Sequence, residues 1–382
     1  MREPKCAELI KIVSAVFQLK GKTMATNQRL NNLRKLMKER RINAFLITDP
    51  VSVEYISGFT GGDSYALILP KNQYILTDGR YTEMAQKEAP GFEVLTRKAK
   101  LTEVIELVVR RHRIKEISFE GFRITYDALR EYRKALGGVK WKAERPIVHI
   151  LRKIKEPREV AVIQKCVEVA EDAMRVVRKL LKPGTTENEV AAELDYQMRR
   201  RGTQKPAFST IIAAGAHSSQ PHAAPGQRKI RRGDALTVDW GAKLDGYNSD
   251  ITRVFFISKV QPKFRKIYEI VLKAQKLAIE ALKPGMPAMK LDAVARNYII
   301  ERGYGPQFNH SLGHGLGMEG HEFPIVNATN KAHLEPGMVI TIEPGIYIPG
   351  FGGVRVEDDV LVTEQGAKVL SRFPKEIDQL IV

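Results

Sequence analysis

Two pairs of carboxylates and one glycine-rich histidine run carry the chemistry this sequence can do. Asp239 ends the apolar run Gly233-Asp234-Ala235-Leu236-Thr237-Val238-Asp239, and Glu343 ends the matching run Gly337-Met338-Val339-Ile340-Thr341-Ile342-Glu343. A second carboxylate follows each, Asp250 in the first segment and Glu357 in the second. Four buried carboxylates facing one another repel and take up protons unless cations neutralise them, so the cluster calls for metal, and two divalent ions fit best. Between the pairs, His310-Ser311-Leu312-Gly313-His314-Gly315-Leu316-Gly317-Met318-Glu319-Gly320-His321-Glu322 holds three of the eight histidines, with glycines that allow the backbone to aim imidazoles into one cleft. One histidine with four carboxylates suits Mn, Co, Fe or Zn, and two such ions roughly 3.5–4 Å apart activate a shared water for hydrolysis. Taken singly, an Asp at a strand end is a turn former and a Gly-flanked His a loop residue. Asp239, Asp250, His314, Glu343 and Glu357 together, with the carboxylates at matched positions of a repeat, are not explained that way.

The elements that must position these groups are themselves repeated. Leu181-Lys182-Pro183-Gly184, a helical pattern to Arg201-Gly202 and then Pro206-Ala207-Phe208 recur as Leu282-Lys283-Pro284-Gly285, a helical pattern to Arg302-Gly303 and then Pro306-Gln307-Phe308. A duplicated α+β unit would bring two carboxylates from each half to a pseudo-twofold axis. Asp239 and Asp250 flank Gly241 and Gly246 in a strand, turn and strand pattern, and Thr252, polar on an apolar strand, is placed to hold a ligating carboxylate. Earlier in the chain, Ala44-Phe45-Leu46-Ile47, Tyr65-Ala66-Leu67-Ile68-Leu69 and Tyr74-Ile75-Leu76-Thr77 read as strands among helical patterns at 27–41, 80–88, 101–113 and 126–135, which makes a small α/β domain. The charged stretch from Arg152 to Glu159 puts Pro157 in the first turn of a helix running to about Leu181. The expected organisation is an extension over 1–23, unstructured or preceding a start at Met24, an α/β domain over 24–150 and a catalytic domain over 151–382.

A chain of 382 residues is long enough for two domains with real cores. Cys6 and Cys166, far apart and without metal-site spacing, argue against a disulfide framework and fit a cytoplasmic protein. No run reaches the roughly 18 apolar residues of a membrane helix, so no membrane association is expected. The net charge of +18 raises nucleic acid as a partner. Its Lys and Arg are scattered along helix faces without interleaved aromatics, so none is expected.

Val238-Asp239-Trp240-Gly241 with Asp250-Ile251-Thr252-Arg253, His314-Gly315-Leu316-Gly317 with His321-Glu322, and Ile342-Glu343-Pro344-Gly345 with Val356-Glu357-Asp358 resemble, in that order, the pita-bread metallopeptidases. The resemblance covers about 156–375, and the preceding domain is similar to the creatinase-type N-terminal domain of aminopeptidase P and prolidase. It implies that Asp239 and Asp250 hold one metal and His314 and Glu343 the other, with Asp250 and Glu357 bridging. Mn is the first expectation, then Co or Zn. Glu343 would also steer and deprotonate the attacking water, and His222 and His321 would contact the substrate and the tetrahedral intermediate. His310 matches a further pocket histidine, and Arg355 and Tyr347 match residues that support the ligands. Phe208 is a candidate for the apolar pocket wall or a core aromatic. The activity implied is cleavage after the residue that precedes proline in short peptides. Gly58-Phe59-Thr60-Gly61-Gly62 and Asp78-Gly79-Arg80-Tyr81 are more similar to aminopeptidase P than to prolidase, so an aminopeptidase is expected, with an Xaa-Pro dipeptidase as the alternative. The family also implies a homodimer or larger homo-oligomer. The reading of another class, a pita-bread protein that only binds a partner or nucleic acid, conflicts with five intact ligands.

Overall fold

The computed structural model describes residues 26–382, so the expected extension over 1–23 and Cys6 lie outside the described residues. The chain divides into two compact units, one ending at Arg152 and one spanning Lys153–Val382.

In the first unit, short apolar runs make β1 (Phe45–Ile47), β2 (Tyr65–Ile68), β3 (Gln73–Asp78), β4 (Glu93–Arg97), β5 (Glu116–Glu120) and β6 (Lys140–Glu144). They form one sheet in the order β4-β3-β2-β1-β5-β6. Strand β2 is antiparallel to β1 and β3, and the other pairings are parallel. All three residues of β1 are buried, as a strand covered on both faces requires. The helices are α1 (26–39), α2 (Pro50–Ser57), α3 (Thr82–Glu88), α4 (Leu101–His112), α5 (Tyr126–Ala135) and α6 (Val148–Arg152). In α4, Leu101, Val104, Ile105 and Val108 recur at helical spacing and pack with Leu46, Leu76, Phe119 and Trp141. Helix α2 was not among the expected elements. Its start is nonetheless written in Asp49-Pro50: the Asp49 carboxylate accepts from Ser52 N at 2.9 Å, and Pro50 takes a first-turn position where no N–H is needed.

The second unit opens with α7 (Pro157–Val177), with Pro157 in its first turn as expected; a 3₁₀ turn, Arg178–Leu180, finishes what the sequence read as helix. Helix α8 (Glu187–Arg200) leads through the short β7 (Lys205–Pro206) to β8 (Ile211–Ala214), β9 (Ala235–Trp240), β10 (Ala242–Leu244), β11 (Tyr247–Asn248) and β12 (Ile251–Phe256). Strand β9 is the centre of an antiparallel sheet between β8 and β12, and β10 pairs with β7 and β11. The plan then repeats. Helices α9 (Pro262–Ala281) and α10 (Ala288–Glu301) precede β13 (Gly313–Gly315), β14 (Glu322–Val326), β15 (Val339–Ile342), β16 (Gly345–Ile348), β17 (Gly352–Arg355), β18 (Asp358–Thr363) and β19 (Gly366–Val369). The larger sheet runs β14-β13-β15-β18-β19, and β16 pairs with β17.

The duplication is visible in backbone dihedrals as well as in sequence. Gly184 and Gly285 have φ 97° and 78°, Gly202 and Gly303 have 96° and 82°, and Gly233 and Gly337 have 85° and 88°. Each pair occupies the same place in the two copies, in the left-handed region that favours glycine. No helix among the described residues is long and apolar enough to cross a membrane.

Candidate metal centre

Asp239 lies on the central strand β9, opposite Thr252 of β12, and Asp250 is the residue before β12. The chain between them closes tightly at Gly241, where a Cβ would meet Ser249 O at 1.9 Å. In the second copy, His314 sits in β13, Glu343 follows β15, and Glu357 lies between β17 and β18. Gly313 lets β13 approach the neighbouring strand, since a Cβ there would meet Thr341 O at 2.0 Å. The two copies thus deliver their carboxyl groups to one place. One ligand atom each from Asp250, His314 and Glu357 lie within 4.8 Å of one another. His314 Nε2 is 3.3 Å from Glu343 Oε1 and 3.7 Å from Asp250 Oδ2.

The electrostatics of this cluster are those of a site built around cations. Burial, then Glu357, Asp239 and Glu343, hold the Asp250 carboxyl well above the usual range. Burial, then Glu343 and Asp239, do the same to Glu357. Asp239 is also raised, its burial outweighing the Arg355 guanidinium beside it. Its Oδ1 is buried with no hydrogen-bond partner. Glu343 goes the other way: burial opposes ionisation, but His314, His310 and Arg355 prevail and hold it at about 2. His314 Nδ1 donates to Gly315 O at 3.1 Å, which leaves Nε2 facing the carboxylates. Burial works against a charge on His314, yet its hydrogen bond to Glu343 and that carboxylate's charge raise its pKa. An unpartnered carboxylate oxygen, mutually repelling acids and an imidazole lone pair aimed at them are a donor set that fits divalent metal.

Other side chains hold these donors in place. Arg355 Nη2 donates to Asp239 Oδ2 at 2.5 Å, Nε to Thr252 Oγ1 at 3.0 Å and Nη1 to Tyr347 Oη at 2.7 Å. Thr252 Oγ1 in turn donates to Glu357 Oε2 at 2.5 Å, the role its position in the sequence suggested. Tyr347 Oη donates to His310 Nε2 at 3.1 Å, and His310 Nδ1 donates to Ser311 O at 2.7 Å. His310 is held neutral by burial. Two supports had no advance reading. Thr341 Oγ1 accepts from His314 N at 3.1 Å and lies 3.2 Å from Glu343 Oε1, and Asp359 Oδ2 accepts from Asp250 N at 3.0 Å. The signals were a lone hydroxyl in the apolar run ending at Glu343, and the acidic run Glu357-Asp358-Asp359 opening an apolar strand.

His222 and His321 are both partly open to solvent, and His321 stands beside the cluster. The His321 ring lies 4.1 Å from the His314 ring, and burial, His314 and His222 together lower its pKa. His222 lies in the segment after β8, where Arg355 Nη1 donates to Pro221 O at 3.3 Å. The ends of that segment meet at the fully buried Glu187: its carboxylate accepts from Ala214 N at 2.8 Å and Gly226 N at 3.1 Å, with His217 Nδ1 3.0 Å from both oxygens. Sequence reading did not single out Glu187, which looks like an ordinary first-turn acid of α8. Phe208 lies between β7 and β8 and is half-buried.

With this geometry in view, comparison with known proteins places the chain. The model of metallopeptidase family M24 matches residues 161–364, and the creatinase/prolidase N-terminal domain matches 29–154. An Xaa-Pro dipeptidase of Pyrococcus furiosus is 41% identical over 359 residues, 92% of this chain and 99% of that one. A solved Xaa-Pro dipeptidase from Bacillus anthracis superposes with a TM-score of 0.90 at 36% identity, covering 94% of this chain and all of the other. An X-Pro aminopeptidase from Thermotoga maritima does so with a TM-score of 0.84 at 38% identity, covering 90% and 99%. The chain belongs to metallopeptidase family M24, with a creatinase-type α/β domain ahead of a duplicated pita-bread domain.

Proposed function

We propose that this protein is an Xaa-Pro dipeptidase that hydrolyses the bond between an N-terminal residue and a following proline. The observation that carries the hydrolytic reading is the convergence of Asp250, His314 and Glu357 ligand atoms within 4.8 Å, with Glu343 3.3 Å from His314. Substrate class rests on the relatives. Dipeptidase names attach to the Pyrococcus and Bacillus proteins over more than nine-tenths of this chain, which favours the dipeptidase over the aminopeptidase expected from the N-terminal motifs. The Thermotoga structure keeps the aminopeptidase as the second reading.

In this proposal Asp239, Asp250, His314, Glu343 and Glu357 hold two divalent cations, Mn by preference and Co or Zn otherwise. The ions supply a water of lowered pKa and positive charge opposite the developing oxyanion. Glu343, ionised, accepts the proton of the attacking water and delivers it to the departing proline nitrogen. That nitrogen carries no hydrogen in the substrate and leaves readily only once protonated. His321 is neutral near pH 7, because its pKa is lowered, and with His222 can donate hydrogen bonds to the carbonyl oxygen as it gains charge. Arg355 and Tyr347 keep Asp239 and His310 in register, and Phe208 is a candidate for the apolar pocket wall. A homo-oligomeric state and a cytoplasmic setting complete the reading.

The test is turnover of an Xaa-Pro dipeptide, an Xaa-Pro-Yaa tripeptide and an Xaa-Ala dipeptide after chelation and separate return of Mn, Co or Zn. Metal-dependent cleavage of the Xaa-Pro dipeptide with the tripeptide nearly inert is the expected result. Preference for the tripeptide would move the assignment to an aminopeptidase, and equal cleavage of the alanine peptide would remove the proline specificity.

A further inference from the structure

In the first unit, a cleft of about 500 Å³ is lined by Arg41, Lys71, His112, Arg113 and Lys115, with Asn43 and Asn72 beside them. The one carboxylate in its lining, Glu116, is paired with Lys140 at 2.9 Å. His112 is engaged with Tyr74 Oη at 2.7 Å. Two arginines and two lysines are therefore left without an acid among the lining residues.

The way the two arginines reach this cleft is unusual. Helices α1 and α4 end in the same motif: Ile42 N donates to Met37 O at 2.8 Å and Arg41 N to Lys38 O at 3.1 Å, and Ile114 N donates to Val109 O at 3.0 Å and Arg113 N to Arg110 O at 3.4 Å. The residue at the turn of such an ending adopts a left-handed conformation and is usually glycine. Here both turns carry arginine, at φ 58° for Arg41 and 53° for Arg113, and both arginines line the same cleft. Favourable interaction with the helix dipoles accounts for part of this. Each helix end presents only about half a negative charge, so two ends absorb about one of the four positive charges. The remainder is an excess of cation in a concave site of ligand size.

We propose that this cleft is a binding site for a small anion carrying several phosphate or carboxylate charges, held by Arg41, Arg113, Lys71 and Lys115. The site is independent of the peptidase reading. Glycine at both arginine positions removes the cations and relieves the backbone, so the fold is retained or stabilised while the anion site is lost.

Calorimetric titration of the full-length protein with tripolyphosphate at low ionic strength, beside the Arg41→Gly/Arg113→Gly double variant, tests this. One saturable site is expected, weakened at least tenfold in the double variant, whose melting temperature and peptidase activity match or exceed those of the parent. Affinity should also fall as salt is raised. Absence of saturable binding, or undiminished binding by the double variant, overturns the proposal, the latter because it places the anion at the metal centre or over the basic surface at large. Tighter binding of a DNA oligonucleotide through the same two arginines would replace the small anion with a nucleic-acid backbone and overturn it as well.

Discussion

Arg355 Nη2 lies 2.5 Å from Asp239 Oδ2, and the same guanidinium bonds Thr252 and Tyr347, so one buried cation ties a carboxylate of the first copy to a strand of the second. The pair is 4% and 11% exposed, which makes removal of one partner costly. Replacing Arg355 by Met is expected to cost about 3 kcal/mol of stability, because Asp239, Thr252 and Tyr347 all lose a buried donor. Chemical denaturation of the parent and the variant, both without metal, measures it.

Glu343→Gln keeps the shape of the side chain and removes its basicity. Turnover is expected to fall by roughly 10²–10⁴-fold, the range for loss of a positioned general base. Metal content after gel filtration, read beside kcat, separates lost proton transfer from lost metal.

The raised carboxyl groups give the metal-free protein a pH dependence of definite sign. Asp250, Glu357 and Asp239 have folded pKa values above their unfolded ones, so the folded state binds more protons between the two values. Their contribution is most favourable below the ordinary carboxyl range and declines as pH rises toward the raised values. His314, also raised, declines in the same direction as pH passes upward through its folded pKa. Melting temperature after chelation is therefore expected to drop as pH rises from the ordinary carboxyl range through neutrality. Addition of Mn should remove the drop, and a metal-free melting temperature that climbs over this interval would contradict the assignment.

Glu187→Gln replaces one accepting oxygen by a donor that faces either Ala214 N or Gly226 N. A buried clash of donors is expected to cost about 2 kcal/mol and to loosen the segment that carries His222. If the segment serves catalysis, kcat/KM falls by about tenfold in steady-state assays at a temperature where the variant is fully folded.

Gly241→Ala puts a methyl group where Ser249 O already sits, at 1.9 Å. Strands β9 and β12 cannot both keep their places, and a loss of about 3 kcal/mol with weakened metal binding is expected. Thermal melting and equilibrium dialysis with Mn report the two effects.

Much of the site was legible in the sequence because the duplication placed one carboxylate of each copy at the end of a recognisable apolar run and a second carboxylate after it. The matched left-handed glycines explain why the repeat survives in the backbone: Gly184, Gly202 and Gly233 fix the same turns as Gly285, Gly303 and Gly337. What could not be read were contacts between residues distant in the chain. Glu187 looks like a helix-start acid until Ala214, His217 and Gly226 are seen around it, and Asp359 looks like a strand residue until its bond to Asp250 N appears. Strand β4 was missed for a simpler reason, since its five residues are no more than half-buried and carry little apolar signal.

Asp250 and Glu357 belong to different copies, with roughly 100 residues of chain between them, and meet within 4.8 Å. In the proposed two-metal site an ion bound by both would act as a removable staple. Tying the ends of a loop that long narrows the unfolded ensemble by an amount on the order of 4–5 kcal/mol when a disulfide does it. An ion that binds only the folded state works differently, stabilising it by mass action in proportion to free metal, so metal supply would set how long the folded molecule lasts, along with how fast it works.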